Sequence, residues 1–216
     1  AAVLEGGARL LFATELSQVQ PLSGDHLVDS GVPGVPWLYR PGIRGLTNGD
    51  GFRDPVERSP VAPAGTLRIL LVGDSVTATI ADAPDQAPTR LFSARLERLL
   101  AVTLGRPVEV LNLSLPGLSM RQEVALAAAR YAAWRPNLIL LAFCANDAVE
   151  TDVSHVANAT LTGPSALLNV ITLLQYRIAQ GNRDTWFDPA GKTYAALDAT
   201  FGALATLGQQ VPVALF

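Results

Sequence analysis

The chain has 216 residues, of which 49% are hydrophobic and 16% charged, so it can bury a sizeable core and is not a disordered segment. Its formal net charge of −3 offers no basic footprint for nucleic acid, and we expect no nucleic-acid partner. Its single cysteine, Cys144, excludes an intrachain disulfide and a cysteine-rich metal site.

The first 65 residues or so differ in composition from the rest, and we call this segment (1–65) the arm. Prolines and glycines recur throughout it, and this density disfavours regular helices and central strands. It nevertheless carries apolar anchors, namely Trp37, Leu38, Tyr39, Ile43 and Phe52. We therefore expect an irregular arm, or several short edge strands, lying against a main domain formed by residues 66–216.

The first regular element is the run Ile69–Val72, which is apolar without alternation and predicts a strand covered on both faces. It stops at Gly73, and Asp74 and Ser75 follow. A small hydroxyl residue just after a buried strand is one way to hold a nucleophile rigidly at the carboxyl edge of a sheet, where open α/β sheets bind their ligands. On this stretch alone, a simple helix cap at Asp74 or Ser75 is the better interpretation.

Beyond this strand, apolar strand-like runs alternate with helical segments. This alternation predicts right-handed crossovers and a parallel, flavodoxin-like sheet in a three-layer α/β/α sandwich. The predicted strands are Ile69–Val72, Val108–Leu113, Leu138–Phe143 and Val211–Phe216. The predicted helices are Leu91–Val102 ended by Gly105, Ser119–Trp134 with Ser119 as its cap, Pro164–Gln180, and Thr193–Leu207.

Small or polar residues follow each of the first three strands, and in a parallel sheet these ends lie at one edge. Ser75 could supply a nucleophilic hydroxyl there, Gly117 an unobstructed N–H, and Asn146 a carboxamide N–H aimed at a developing oxyanion. Each residue taken singly is better explained as a cap or a turn. Their occurrence in order at successive strand ends favours a catalytic site.

These residues resemble the sequence blocks of the SGNH hydrolases, also called GDSL esterases and lipases. The first block, Gly-Asp-Ser, matches residues 73–75, and the glycine of the second matches Gly117. The third, Gly-x-Asn-Asp, is matched by residues 144–147, with Cys144 in place of the glycine, and Ile80 stands where glycine is frequent in one subgroup. In the arm, Asn48-Gly-Asp-Gly-Phe-Arg53-Asp54-Pro is similar to an Asn…Gly-Phe-Arg-Asp segment of some bacterial, often membrane-anchored members.

The resemblance implies a serine esterase or acyl hydrolase whose nucleophile is Ser75 and whose oxyanion hole uses Ser75, Gly117 and Asn146. It implies no metal and no organic cofactor. The substrate would be a small-molecule or carbohydrate ester. The subgroup of the arm implies a location outside the cytoplasm, in the periplasm or at the cell surface, with a membrane anchor upstream of residue 1.

The family's general base comes from an Asp-x-x-His block that follows the last strand. We expect that block beyond Phe216, interpret the chain as a fragment at both ends, and expect the fragment by itself to be close to inactive. Asp152-Val-Ser-His155 has the same spacing but follows the third strand, so it is the minor alternative. His26 is expected at the surface, and Cys144 is a weaker candidate nucleophile because no base accompanies it.

Two other functions stay open at this stage. An O-acetyltransferase acting on an extracellular polysaccharide would use the same residues and deliver the acyl group to a sugar hydroxyl. A carbohydrate-binding relative would keep the fold and lack catalysis. A nucleotide-binding α/β domain is disfavoured, because Gly-Asp-Ser-Val-Thr-Ala lacks the glycine spacing that lets a backbone approach a pyrophosphate.

Overall fold

A computed structural model describes residues 26–54, 56–78, 91–144, 190 and 192–216. The predicted helix Pro164–Gln180 lies outside these ranges. In chain order the elements are β1 (Leu27–Asp29), β2 (Trp37–Tyr39), β3 (Leu67–Val72), α1 (Ser75–Ala78), α2 (Phe92–Leu104), β4 (Val108–Asn112), α3 (Met120–Trp134), β5 (Leu138–Leu141), α4 (Lys192–Gly208) and β6 (Val213–Leu215).

The four strands β3 to β6 form one parallel sheet in the order β4-β3-β5-β6. Strand β3 is central and pairs with β4 on one side and with β5 on the other. The predicted parallel sheet is therefore confirmed. Counted within the sheet, the order is second, first, third and fourth strand, which is the flavodoxin-like arrangement.

The observed strands differ from the predicted ones at several of their ends. Strand β3 begins at Leu67, two residues early, because Arg68 is fully buried within it rather than preceding it. Strand β6 begins at Val213 and not at Val211, because Pro212 has no N–H to donate to the ladder. The predicted β4 and β5 extend one and two residues, respectively, beyond the observed strands at the carboxyl ends.

The helices within the described ranges follow the prediction closely, except at one cap. Helix α2 ends at Gly105, which has the left-handed φ of 61° that suits glycine. The prediction that Ser119 caps α3 is wrong, since its buried hydroxyl has no hydrogen-bond partner in the described part of the chain. Instead, the Gln122 side chain reaches back and accepts a bond from the Ser119 N–H at 2.9 Å. In the described ranges, no helix has the length and apolar character needed to cross a membrane.

Apolar clusters cover both faces of the sheet. The side chains of β3 alternate between the two faces and contribute to both clusters. Ile69 and Leu71 face a cluster that includes Leu96 and Leu100 of helix α2. The opposite face belongs to a larger cluster with α3, α4 and apolar residues of the arm, made up in part by Leu70, Val72, Ile139, Leu126, Leu197 and Phe52. The predicted three-layer α/β/α sandwich is therefore confirmed.

The described part of the arm lies against the sheet domain. Strands β1 and β2 form a small antiparallel pair, and Val35, Trp37 and Tyr39 are buried in the larger cluster. Phe52 is fully buried and meets the Trp134 ring edge-on, with ring centroids 4.8 Å apart. Because the arm supplies part of the core, it shares the stability of the main domain, although the division at residue 65 stays a prediction.

Burial of Tyr39 gives a pH-dependence that can be measured. Burial raises the pKa of Tyr39 from 10.0 to about 12, against the opposing charge of Arg53. Between these values the folded protein keeps a proton that the unfolded chain has lost, so stability falls as the pH rises through this window, by about 2–3 kcal/mol in all. Urea unfolding at pH 10 and pH 12 should show this loss, and Tyr39→Phe should remove it. An unchanged loss in that variant would contradict the assignment.

Candidate active site

The strand order predicts a ligand-binding crevice at the carboxyl end of β3. The crossover from β3 to β4 runs through α2 on one face of the sheet, and that from β4 to β5 through α3 on the other. The chain therefore switches direction between β3 and β5, and ligands of open α/β sheets bind outside the strand ends at such a switch point. Ser75 lies three positions after the last residue of β3, and Cys144 lies three positions after the last residue of β5.

In the turn that carries Ser75, the residues before Ser75 are buried and closely packed, whereas Ser75 itself is exposed. A Cβ on Gly73 would collide with the Thr77 hydroxyl and would lie 3.0 Å from the Ala142 Cβ, so only glycine fits here. Asp74 is buried, and its Oδ1 accepts the Val76 N–H at 2.8 Å, which fixes the start of α1. Ser75, the first residue of α1, is exposed.

The loop after β4 runs alongside this turn. The Leu115 N–H donates to Gly73 O at 2.9 Å, which ties the loop to the residue two positions before Ser75. Gly117 is partly exposed and has a φ of 76°, a conformation that side-chain-bearing residues rarely adopt. The structure thus brings the Ser75 turn and the loop of Gly117 to the same edge of the sheet.

Other predicted site residues fall outside the described ranges. These are Asn146, which was predicted to complete the oxyanion hole, and the Asp152-Val-Ser-His155 segment. Cys144 is half-buried at the same edge as Ser75. His26, which was expected at the surface, is half-buried next to β1. Across the ranges that the structure describes, no group of three or more His, Cys, Asp or Glu side chains could hold a metal ion.

Two residues that contact α1 were not singled out as functional from the sequence. The Nε of Arg53 donates to the carbonyl of Ala78 at 3.3 Å, and the Nδ2 of Asn112 donates to the carbonyl of Thr77 at 3.4 Å. Arg53 entered the sequence interpretation only as a letter of the arm motif. The sequence signal that could have identified Arg53 is its position directly after the apolar Phe52. A charged residue next to a buried apolar one is itself often buried, and it then needs polar partners.

A cluster of buried charges lies further along the arm. Arg58 pairs with Asp54 at 3.0 Å and with Glu97 of α2 at 2.8 Å. Desolvation by burial raises the pKa of Asp54, although the Val56 N–H and the Arg58 guanidinium both act to lower it. These contacts join the arm to α2, and the bonds described for Arg58 do not involve α1.

Comparison with known proteins shows what this chain is similar to. The family model for GDSL-like lipase/acylhydrolase matches residues 69–184, which is more than half of the chain. A search of curated proteins returned no match.

Several solved structures show likeness at low identity. TesA is 21% identical over 68% of this chain and 76% of its own, with a TM-score of 0.34. The acetylxylan esterase Axe2 from Geobacillus stearothermophilus is 15% identical over 68% and 74%, with a TM-score of 0.33. The psychrotrophic esterase EstA from Pseudoalteromonas sp. is 14% identical over 69% and 77%, with a TM-score of 0.35.

Proposed function

The chain belongs to the family of GDSL-like lipases and acylhydrolases and is a hydrolase of ester bonds, and we propose that Ser75 is its nucleophile. The observation that carries this proposal is the setting of Ser75. It is an exposed hydroxyl residue just after the central strand, beside the switch point of the sheet, and the nearby residues Gly73, Asp74 and Thr77 are buried. A fixed backbone that presents one hydroxyl to a crevice suits nucleophilic attack.

In the proposed reaction, the Ser75 Oγ forms a bond to the ester carbonyl carbon while a histidine imidazole takes the hydroxyl proton. The tetrahedral intermediate then collapses, its carbon–oxygen bond to the alcohol breaks, and the imidazolium returns the proton to the departing alkoxide. Water attacks the acyl-enzyme with the same imidazole as base, which releases the acid and restores Ser75. The family resemblance assigns the imidazole to an Asp-x-x-His block.

The negative charge that develops on the carbonyl oxygen needs preorganised donors. We assign this role to the N–H groups of Ser75 and Gly117 and to the carboxamide of Asn146. The bond from the Leu115 N–H to Gly73 O supports the first two, because it holds the Gly117 loop beside the Ser75 turn. Loss of one such donor typically lowers kcat by about 10²–10³-fold.

Asp74 has a different part in this proposal. Its carboxylate is buried and accepts the Val76 N–H, so we assign it the role of holding the turn. Within the ester class, a small-molecule or carbohydrate ester as the substrate stays a prediction, and so does a location outside the cytoplasm.

The test is covalent labelling of the full-length protein with a fluorophosphonate, which reacts with activated serine hydroxyls. We expect one equivalent of label, located on Ser75 by peptide mass spectrometry, and a parallel loss of p-nitrophenyl acetate hydrolysis. Stoichiometric labelling of any other residue, with Ser75 unmodified, would disprove the assignment of the nucleophile.

A further inference from the structure

The nucleophile helix α1 is held at its carboxyl end by side chains from two distant segments. It has only four residues, and isolated helices of this length do not form in water. The last carbonyls of a helix have no partner within it. Here Thr77 O accepts Asn112 Nδ2 from the end of β4, and Ala78 O accepts Arg53 Nε from the arm.

Arg53 is itself firmly fixed. Only 7% of it is exposed, and its Nη1 donates to Leu46 O at 3.0 Å. Its N–H donates to Asn112 O at 2.8 Å, so the two residues that hold α1 are bonded to one another. The preceding residue, Phe52, is fully buried against Trp134, which anchors this part of the arm in the core.

Asn112 connects α1 to the other half of the site. Its side chain is fully buried, and its Oδ1 accepts the Ser114 N–H at 3.0 Å, at the start of the loop that contains Gly117. A displacement of Arg53 therefore affects the end of α1 and, through Asn112, the loop that would supply an oxyanion donor. Helix α1 and the loop of Gly117, which must be aligned for attack on the ester, are therefore both held by the bonded pair of Arg53 and Asn112.

We propose that Arg53 is a positioning residue, which sets the place of α1, and hence of the Ser75 hydroxyl, relative to the loop of Gly117. This inference rests on the proposed function, since it assigns to the arm a role in a reaction performed by Ser75. Arg53 acts through the backbone of α1 and does not itself touch the reacting atoms. A misplacement of a reacting group by about 1 Å can cost about 10²-fold in rate.

The arm offers a matched control in Arg58. This arginine lies five residues further along and is nearly as well buried, but its described partners are carboxylates of the arm, α2 and β4. Both arginines contribute to docking of the arm, and only Arg53 contacts α1. Their comparison separates a positioning role from general stability.

The experiment compares Arg53→Met, Arg53→Lys and Arg58→Met in the full-length protein. It measures p-nitrophenyl acetate kinetics, the rate of fluorophosphonate labelling, and the urea midpoint, all at a temperature where each variant is folded. Arg53→Met should lower kcat and the labelling rate by about 10–100-fold with KM changed by less than about threefold. Arg53→Lys should recover part of the loss, because an ammonium group can still donate to one of the two carbonyls. Arg58→Met should lower the urea midpoint and leave kcat within about threefold.

The inference is overturned if folded Arg53→Met keeps the kcat and labelling rate of Arg58→Met. If Arg53→Met does not fold, the test uses Arg53→Lys and Asn112→Ser instead. Both variants should have a lower kcat than the wild type. A wild-type kcat in both would overturn the inference. A failure of the nucleophile assignment has a separate signature, namely absence of label from Ser75 in the wild type. If that label is present and the Arg53 variants react normally, only the positioning role is wrong.

Discussion

Ser75→Ala in the full-length protein is expected to lower kcat/KM for p-nitrophenyl acetate by about 10⁴-fold or more. The variant lacks the oxygen that forms the acyl-enzyme, while donors at the strand ends still bind the ester and leave a small residual rate. Its free energy of unfolding should be unchanged, because the Ser75 side chain is exposed and lies outside the packed turn. Steady-state kinetics and urea unfolding on the same preparation measure both quantities.

A matched control is Ser59→Ala, which removes an equally exposed hydroxyl from the arm. Its kcat/KM should equal that of the wild type. Retention of more than about a tenth of the wild-type activity by folded Ser75→Ala would contradict the proposed mechanism, since no other described hydroxyl holds its place at the end of β3. Loss of stability in Ser75→Ala would instead show that the side chain supports the turn.

The sheet could be predicted from the sequence because buried parallel strands appear as short apolar runs. The run Ile69–Val72 could be predicted as a strand from its own residues, without knowledge of the strands that pair with it. The register of its neighbours and the start of β3 could not be predicted in the same way. The predicted strand began at Ile69, whereas the fold includes Arg68 and buries it by supplying Glu109 from the neighbouring strand, 41 positions later. A local pattern does not show that a charge has a distant partner.

The sharing of one sheet edge by Ser75 and Gly117 could be predicted for a similar reason. Ser75 and Gly117 follow recognisable strands, and the carboxyl ends of parallel strands share an edge by geometry alone. Arg53 precedes β3, the first strand of the parallel sheet, by more than ten residues in a segment without periodicity, so its contact with α1 could not be predicted without the path of the arm. The cap assigned to Ser119 was wrong because its hydroxyl accepts no described N–H of the first turn, and the side chain that bonds at this helix start is Gln122.

Two of the places where the arm is joined to the sheet domain should have different functional consequences. At the carboxyl edge, Arg53 bonds to α1 and to the end of β4. At the opposite end of β3, Arg68 bonds to the arm carbonyls of Ser59 and Pro60, at 2.7 Å each. About 13 Å of strand separates Arg68 from Val72, the last strand residue before the turn that carries Ser75. The first junction should affect rate, and the second only stability.

Arg68→Met is accordingly expected to lower the free energy of unfolding by about 3–5 kcal/mol while leaving kcat of the folded protein unchanged. Arg68 is fully buried, and all five of its guanidinium donors are used. Two bond to Glu109 at 2.6 and 2.8 Å, and the other three to carbonyls of Ser59, Pro60 and Trp134. Methionine would leave the largely buried Glu109 carboxylate and the carbonyl of the buried Trp134 without this donor. Urea unfolding gives the loss directly.

Two further variants make this prediction specific. Arg106→Met removes an exposed arginine and should cost less than about 0.5 kcal/mol. Adding Glu109→Leu to Arg68→Met should restore part of the lost stability, because the double variant no longer buries a carboxylate without its closest cation. If Arg68→Met costs no more than Arg106→Met, the buried contacts of Arg68 are not what joins this end of the arm to the sheet. If it lowers kcat as Arg53→Met is expected to do, the two junctions are not functionally separate, and the nucleophile turn depends on docking of the arm as a whole.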